Sequence, residues 1–308
     1  MIQAVIDIGS NTMRLAIYQI QDNRAVMVLK KKRIVGLAGY VRDGVMTEAG
    51  IDAAGAVLEE FHHFLTEFGI KEVTAFTTAA LRNATNSRVA VAELARRGGF
   101  PIRVISGEEE AELDFLGAAR GLGAATGLLV DIGGGSTELV AYENGAIREK
   151  VSLPSGSLSL RTGIVTGTLP SPEEAARLRE LAAVAVNALP GFVGVSTPVI
   201  GGIGGTFKGG KNVYNALYGC PKQNLTLDVH RLPDMIQRFS PATGLPEEDA
   251  VLLMKAEPDR LHTLIPGLIL AEAIARRFDA PRITYSDSGV REGFLYQTFP
   301  ELTAVVAG

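Results

Sequence analysis

Cysteine is nearly absent: Cys220 stands alone in 308 residues. A single thiol forms no internal disulfide, so a reducing compartment is expected and the cytoplasm is the default location. The four histidines, His62, His63, His230 and His262, show no metal-ligand spacing and have no cysteine neighbours, which argues against a zinc site. Long apolar runs are missing too. Charge or glycine interrupts each one well before the roughly 18 residues that a membrane span needs, and Met1-Ile2-Gln3-Ala4 opens without the basic, apolar signature of a signal segment. No membrane partner is expected. The chain carries no low-complexity tract, and 46% hydrophobic with 21% charged residues is the balance of a globular core rather than a disordered tail. A formal net charge of -4 gives no general pull toward nucleic acid.

What the chain does have is one loop written twice. Ile6-Asp7-Ile8-Gly9-Ser10-Asn11-Thr12 is matched by Val130-Asp131-Ile132-Gly133-Gly134-Gly135-Ser136-Thr137-Glu138. Each copy follows a short apolar run and leads into another, so strand, tight turn, strand is the expected structure. Glycine lets backbone N–H groups converge on one concavity, and such nests bind phosphate oxygens. An aspartate at the strand end is placed to hold a divalent cation, directly or through water. Hairpin turns use the same residues, but the repetition of Asp, Gly, Ser and Thr in matching order favours a ligand-binding role.

The length suggests two domains, and the duplication gives the same number independently. The expected boundaries are 1–122 and 123–308, with the junction near Gly121-Leu122-Gly123-Ala124-Ala125 and a last helix at about 291–308 placed to pack back on the first domain. In the first half, strands 14–20 and 25–29 flank a turn at Gln21-Asp22-Asn23. Thr47 caps a helix that keeps a 3.6-residue apolar period through Phe68 and stops at Gly69, and strands 73–77 and 102–105 enclose a helix over 87–97. Ser106-Gly107-Glu108-Glu109 has capping-box spacing and starts a helix over 108–120. The second half repeats the opening hairpin, with Asn144-Gly145 as its turn, then places a helix from Ser171-Pro172 to about Leu189 and a strand over 195–200. A third glycine cluster, Gly201-Gly202-Ile203-Gly204-Gly205-Thr206, reads as another ligand-facing turn before a helical segment carrying Lys208 and Lys211. Helices near 233–239, 247–255 and 266–278, and a strand over 283–285, complete the alternation.

Paired Asp-x-Gly loops with a later Gly-Gly-x-Gly-Gly-Thr turn resemble the actin, Hsp70 and sugar-kinase superfamily. A finer resemblance, to the exopolyphosphatase and guanosine pentaphosphate phosphatase (Ppx/GppA) family, rests on four blocks in order: 7–12, Thr77-Thr78-Ala79-Ala80-Leu81-Arg82, 106–113, and 131–139. Ser288-Gly289-Val290-Arg291-Glu292-Gly293 is similar to that family's closing motif. The resemblance implies an α/β fold of duplicated actin-like (ribonuclease H-like) domains, with mixed sheets flanked by helices and an interdomain cleft. It also implies hydrolysis of a terminal phosphoanhydride of linear polyphosphate or guanosine pentaphosphate. Longer family members carry an extra helical region, and because this sequence ends at Gly308, weak processivity on very long chains is expected.

By that resemblance Glu110 is the general base. Its place in the first turn of a helix is expected to favour the ionised form and weaken its basicity. Asp131 and Glu138, with Asp7 supporting across the cleft, are the implied ligands of magnesium, with manganese as its substitute. Ser10, Asn11, Thr12, Gly133, Gly134, Gly135, Ser136, Thr137, Gly205 and Lys208 are assigned to phosphate, and Arg82 resembles the family's phosphate-contacting arginine. Lys208, Lys211, Arg161 and Arg291 could form a basic path, though each alone reads as solvated surface. Lys30-Lys31-Lys32-Arg33 has no interleaved aromatics and reads as a solvent-facing strand edge, not a nucleic-acid patch. Two other readings share the loops: a small-molecule kinase, and a nucleotide-dependent filament or chaperone relative. The Glu-Glu-Ala element tilts against the kinase. Oligomeric state is left open, a homodimer being one option.

Overall fold

The structure, a computed structural model, describes residues 1–122, 125–189 and 191–307. Part of the expected junction, Gly123 and Ala124, lies outside the described residues. The first hairpin is β1 (Ile2–Ile8) and β2 (Thr12–Gln21), extended by β3 (Arg24–Ile34). Asp22 and Asn23 take φ of 52° and 56° in the β2–β3 turn, the left-handed pair that a tight hairpin requires. A two-residue ladder, β4 (Val41–Arg42) with β5 (Val45–Met46), precedes α1 (Glu48–Glu67). The Thr47 hydroxyl caps α1 by accepting from the Gly50 N–H at 3.2 Å, and Ala54, Leu58, Phe61 and Leu65 bury its inner face. Next come β6 (Val73–Thr77), α2 (Ala79–Arg82), α3 (Ser87–Gly98), β7 (Ile102–Val104) and α4 (Gly107–Leu122).

The second half repeats this order with β8 (Gly127–Ile132), β9 (Thr137–Glu143) and β10 (Ala146–Leu153). Asn144 and Gly145, at φ 52° and 74°, form its hairpin turn. Then follow α5 (Ser157–Arg161), α6 (Pro172–Asn187), β11 (Val199–Ile203), α7 (Gly204–Tyr218), β12 (Thr226–Asp228), α8 (Leu232–Arg238), α9 (Glu247–Ala256), α10 (Leu264–Arg277) and β13 (Arg282–Ser286). The chain closes with α11 (Val290–Thr298) and β14 (Ala304–Ala307). Two six-stranded mixed sheets result, in the orders β14-β3-β2-β1-β6-β7 and β10-β9-β8-β11-β13-β12. In each, an antiparallel three-strand ribbon continues into parallel strands, and β1 and β8 hold equivalent places. Among the described residues no helix is long and apolar enough to cross a membrane.

Two expectations are corrected. Gly201 and Gly202 are not turn residues but lie inside β11, where a Cβ would meet Leu122 and Leu129 at one and the Phe207 ring at the other. Close packing, not ligand approach, selects glycine there. The chain also ends in a strand rather than a helix: β14 pairs in parallel with the start of β3, which returns the C-terminal segment to the first sheet.

Strand alternation decides where the aspartates point. Ala4, Ile6 and Ile8 pack toward α1 and α3, while Val5 faces the opposite side with Phe76, Leu113 of α4 and Phe294 of α11. In the second sheet Leu128, Val130 and Ile132 enter the larger core, whereas Leu129 faces Ala111, Phe115 and Ala118 of α4. Asp7 shares the face of Val5 and Asp131 the face of Leu129, because side chains on a strand repeat every two residues. Both carboxylates therefore project toward the α4 side.

α4 can occupy that middle position only because it crosses α11 at backbone contact. A Cβ on Gly117 would lie 2.1 Å from the Gly289 carbonyl oxygen, and one on Gly293 would lie 2.0 Å from the Leu113 carbonyl oxygen. Replacing Gly293 by Ala is expected to cost about 3 kcal/mol by forcing the helices apart. Urea unfolding tests this, and a loss below about 0.5 kcal/mol, the scale of an ordinary surface change, would show that the crossing has room to give.

Candidate active site

The two glycine loops meet in a cleft of about 520 Å³. Their turns are closed by the same bond, Gly9 N–H to the Thr12 carbonyl at 3.1 Å and Gly133 N–H to the Ser136 carbonyl at 3.0 Å. They also touch: a Cβ on Gly134 would lie 3.2 Å from that of Ser10, and one on Gly135 would lie 2.8 Å from the Ser10 hydroxyl oxygen. The second loop is held from behind. Ser157 donates N–H and Oγ–H to the Gly133 carbonyl at 2.8 and 3.0 Å, Leu158 and Ser159 N–H groups reach the Gly134 carbonyl, and Thr206 Oγ1 donates to the Ile132 carbonyl at 2.9 Å. With those carbonyls engaged, the N–H groups of Gly134 and Gly135, like those of Ser10 and Asn11, have no protein acceptor among the described residues. Both polar atoms of the buried Asn11 side chain are unsatisfied as well. Orphan donors lining a polar cleft are what an anion needs.

The copies differ at one cross-strand position. Asp7 is the register partner of Arg14, Asp131 that of Glu138. In the first loop the pair is neutralised by an Arg14–Asp7 ion pair of 2.9 Å. In the second, the partly buried Asp131 and the buried Glu138 face each other. Burial pushes Asp131 up to about 6, with Asp7 adding to the effect, and burial together with Asp131 pushes Glu138 up to about 7. Glu138 lies just behind the cleft lining, accepting from Ser152 Oγ at 2.7 Å.

Glu110 enters from the first turn of α4. The Ser106 hydroxyl caps the helix by accepting from Glu109 N–H, and Glu110 is left 8% exposed at the cleft wall. Its carboxyl is raised well above the ordinary range, first by burial and then by Glu138, and the Arg82 bond opposes this only in part. The helix-terminus expectation is thus reversed: desolvation in a carboxylate cluster outweighs the dipole, and Glu110 becomes a stronger base. Asp114, one turn further along the same face, is fully buried and also raised by burial and by Asp131.

Arg82 does not reach into the open cleft. It holds Glu110 with a 2.7 Å ion pair and donates to the Ile105 carbonyl at 3.3 Å. Thr137 is likewise turned away, fully buried with its hydroxyl donating to the Ser155 carbonyl at 2.6 Å. Gly133, Gly134, Gly135, Ser136, Ser10, Asn11, Thr12, Gly205 and Lys208 all line the cleft. Of the basic path, Arg291 lines it, whereas Arg161 and Lys211 do not.

Besides Arg14, three basic residues without an expected role at the site are in the lining. Lys30 and Lys32, two apart on β3, both line the cleft, so the expected strand edge, solvent-exposed at Lys30, forms part of its wall. β14 pairs only with Arg24–Met27, and the strand beyond runs along the cleft mouth, where Lys32 meets Asp259 at 2.7 Å. Desolvation against the cleft wall, and then Arg291, lower the ammonium of the otherwise exposed Lys30 to about 8. Arg260 carried no motif signal at all. It is 6% exposed, its guanidinium rests on Gly205 so closely that a Cβ there would fall 1.8 Å from Nη2, and that guanidinium has no hydrogen bond or ion pair among the described residues. Burial lowers it to about 10, so it stays charged at neutral pH.

The expected trio Asp7, Asp131 and Glu138 is not gathered, and among the described residues no three His, Cys, Asp or Glu side chains form a metal group. Arg14 draws Asp7 aside. Asp131 and Glu138 still fit a hard divalent cation that keeps most of its water, since they are adjacent and oxygen-only.

Comparison with known proteins agrees with this architecture. The sequence model of the Ppx/GppA phosphatase family matches residues 16–302. Exopolyphosphatase 1 of Mycobacterium tuberculosis is 27% identical over 302 residues, covering 94% of this chain and 86% of that protein. The crystal structure of the Aquifex aeolicus member of the Ppx/GppA family is 26% identical, with a TM-score of 0.75 over 98% of this chain and 99% of that one. An exopolyphosphatase structure from Cytophaga hutchinsonii, 24% identical with a TM-score of 0.80 over 98% of this chain and 99% of that one, has the same fold.

The carboxylates dictate a pH response. Glu110, Asp114, Asp131 and Glu138 all have folded pKa values above their unfolded ones. The stability they contribute is complete below the unfolded carboxylate range near 4 and is lost as pH rises through about 6 to 7. His262, lowered by burial and Arg161, works the other way, but it is one group against four. The melting temperature of metal-free protein is expected to fall from pH 5 to pH 8, and magnesium to restore more of it at pH 8. A flat profile in calorimetry would contradict the cluster's raised pKa values.

Proposed function

Because the chain belongs to the Ppx/GppA phosphatase family, we propose that it is an exopolyphosphatase, removing the terminal phosphate of linear inorganic polyphosphate with water activated by Glu110. The observation that carries this reading is the Glu110 carboxylate, raised in pKa and held by Arg82 at 2.7 Å beside two facing phosphate loops. The proposal includes a two-domain division at 122/123 and a cytoplasmic location, the latter resting on the lone Cys220.

Phosphoanhydride hydrolysis needs an in-line water, neutralised phosphoryl oxygens and a proton acceptor. The N–H groups of Ser10, Asn11, Gly134 and Gly135 would cradle the phosphoryl group, with the Ser10 to Thr12 and Ser136 side chains around it. Glu110 takes the water's proton, and Arg82 fixes its orientation from behind. Asp131 and Glu138 would hold magnesium, which supplies charge neutralisation on the phosphoryl oxygens when bound. Arg260, buried and unpaired beside Gly205, and Lys208 would bind oxygens of the departing chain. Most of the lining residues are polar or charged, with Phe76 and Tyr285 the only aromatics among the described ones, which favours an inorganic chain over a nucleotide base.

Phosphate release measured side by side on long polyphosphate, tripolyphosphate, guanosine pentaphosphate and ATP tests the reading. The inorganic chains are expected to be cleaved fastest, and a preference for guanosine pentaphosphate or ATP would overturn it. Glu110→Gln is expected to lower kcat by about two orders of magnitude or more. Full activity in that variant would remove Glu110 from the role of base.

A further inference from the structure

The cations of the cleft are not equally available. Arg14 is paired with Asp7 and Lys32 with Asp259, each within 2.9 Å. Among the described residues Arg260, Lys30 and Lys208 have no ion-pair partner, and Arg291 keeps one buried guanidinium nitrogen, Nη1, without any partner, its other contact being Glu292 at 3.7 Å. A chain of phosphates would run along these four. In their midst stands one exposed acid, Asp287, in the short loop between β13 and α11. Its charge acts on Lys30, Lys211 and Arg291 alike.

Asp287 is fixed in place. The Tyr285 hydroxyl donates to its Oδ1 at 2.6 Å, and Tyr285 is itself buried with the Lys211 ammonium 5.6 Å from its ring centre. Ser286 and Ser288 brace the loop, the Ser288 N–H donating to Ser286 Oγ at 3.3 Å. Lys30, Asp287, Ser288, Arg291 and Glu292 also line a side chamber of about 90 Å³, which is closed off by Tyr18, Met27, Val305 and Val306. The acid thus stands where the basic lining of the cleft gives way to a small, partly apolar recess.

We propose that Asp287 is a specificity-determining residue that limits how many phosphates beyond the scissile one the cleft accepts. It does so by presenting a fixed negative charge among Lys30, Lys208 and Arg291. The inference rests on the polyphosphate reading above and deepens it. Unpaired cations attract a polyanion of any length, whereas a preorganised carboxylate set among them repels a chain long enough to reach it. A short chain filling the loops alone does not meet it.

Asp287→Asn keeps an acceptor for Tyr285 and removes only the charge, and Asp287→Glu restores the charge. Steady-state KM values are to be measured for tripolyphosphate and for a chain of hundreds of phosphates. The ratio of long-chain to short-chain KM is expected to fall about tenfold in Asp287→Asn and to return toward wild type in Asp287→Glu. A ratio that stays within about twofold of wild type, or that rises, would overturn the proposal and leave Asp287 as a loop anchor. If the wild-type protein releases phosphate from neither chain, the exopolyphosphatase reading fails separately. Calorimetric binding of the same two chains then reads the same ratio, with the same outcomes for and against.

Discussion

Helices α4 and α11 touch backbone to backbone, and the rest of the molecule depends on that contact. Gly117 and Gly293 each stand against a carbonyl oxygen of the other helix. Any side chain there would separate α11, which is packed on the first sheet with Phe76 and Phe294 stacked at 4.6 Å, from α4, which is packed on the second through Ala111, Phe115 and Ala118. The two sheets are joined through this pair, and Glu110 rides on it. Its position against the glycine loops is therefore a property of the whole assembly and not of its own segment.

The duplicated loops show how one backbone device can serve two purposes. Identical turn bonds at Gly9 and Gly133 preserve the anion-facing geometry in both halves. The cross-strand partner of the aspartate then decides the electrostatics. Arginine at 14 cancels Asp7, whereas glutamate at 138 doubles the negative charge beside Asp131. One half is left to receive an anion and the other retains an excess of negative charge, an asymmetry that the proposed phosphoryl transfer with a divalent cation would use. The same excess raises Glu110 and makes it a better proton acceptor, at a cost in stability near neutral pH.

Much of the fold was legible in the chain because its signals are local. Thr47, Ser106 and Ser171 cap the helices they were expected to cap, and the Asp22-Asn23 and Asn144-Gly145 turns close their hairpins. Where local and tertiary demands share a residue type, the sequence misled: Gly201 and Gly202 resemble a loop but serve packing inside a strand. β14 was invisible because four small or branched residues have no meaning until β3 lies beside them.

By itself the sequence determined the two glycine loops, their order, the acidic helix start at Glu110 and the family to which these belong, because each is written in contiguous residues with a fixed backbone requirement. Only the tertiary structure decided which charges face one another. Arg82 is paired with Glu110, Lys30 and Lys32 line the cleft from the strand edge, and Arg260 emerged from a segment with no motif. Charge acts through space over several ångströms, and the distances that govern it exist only once strands far apart in the chain have paired.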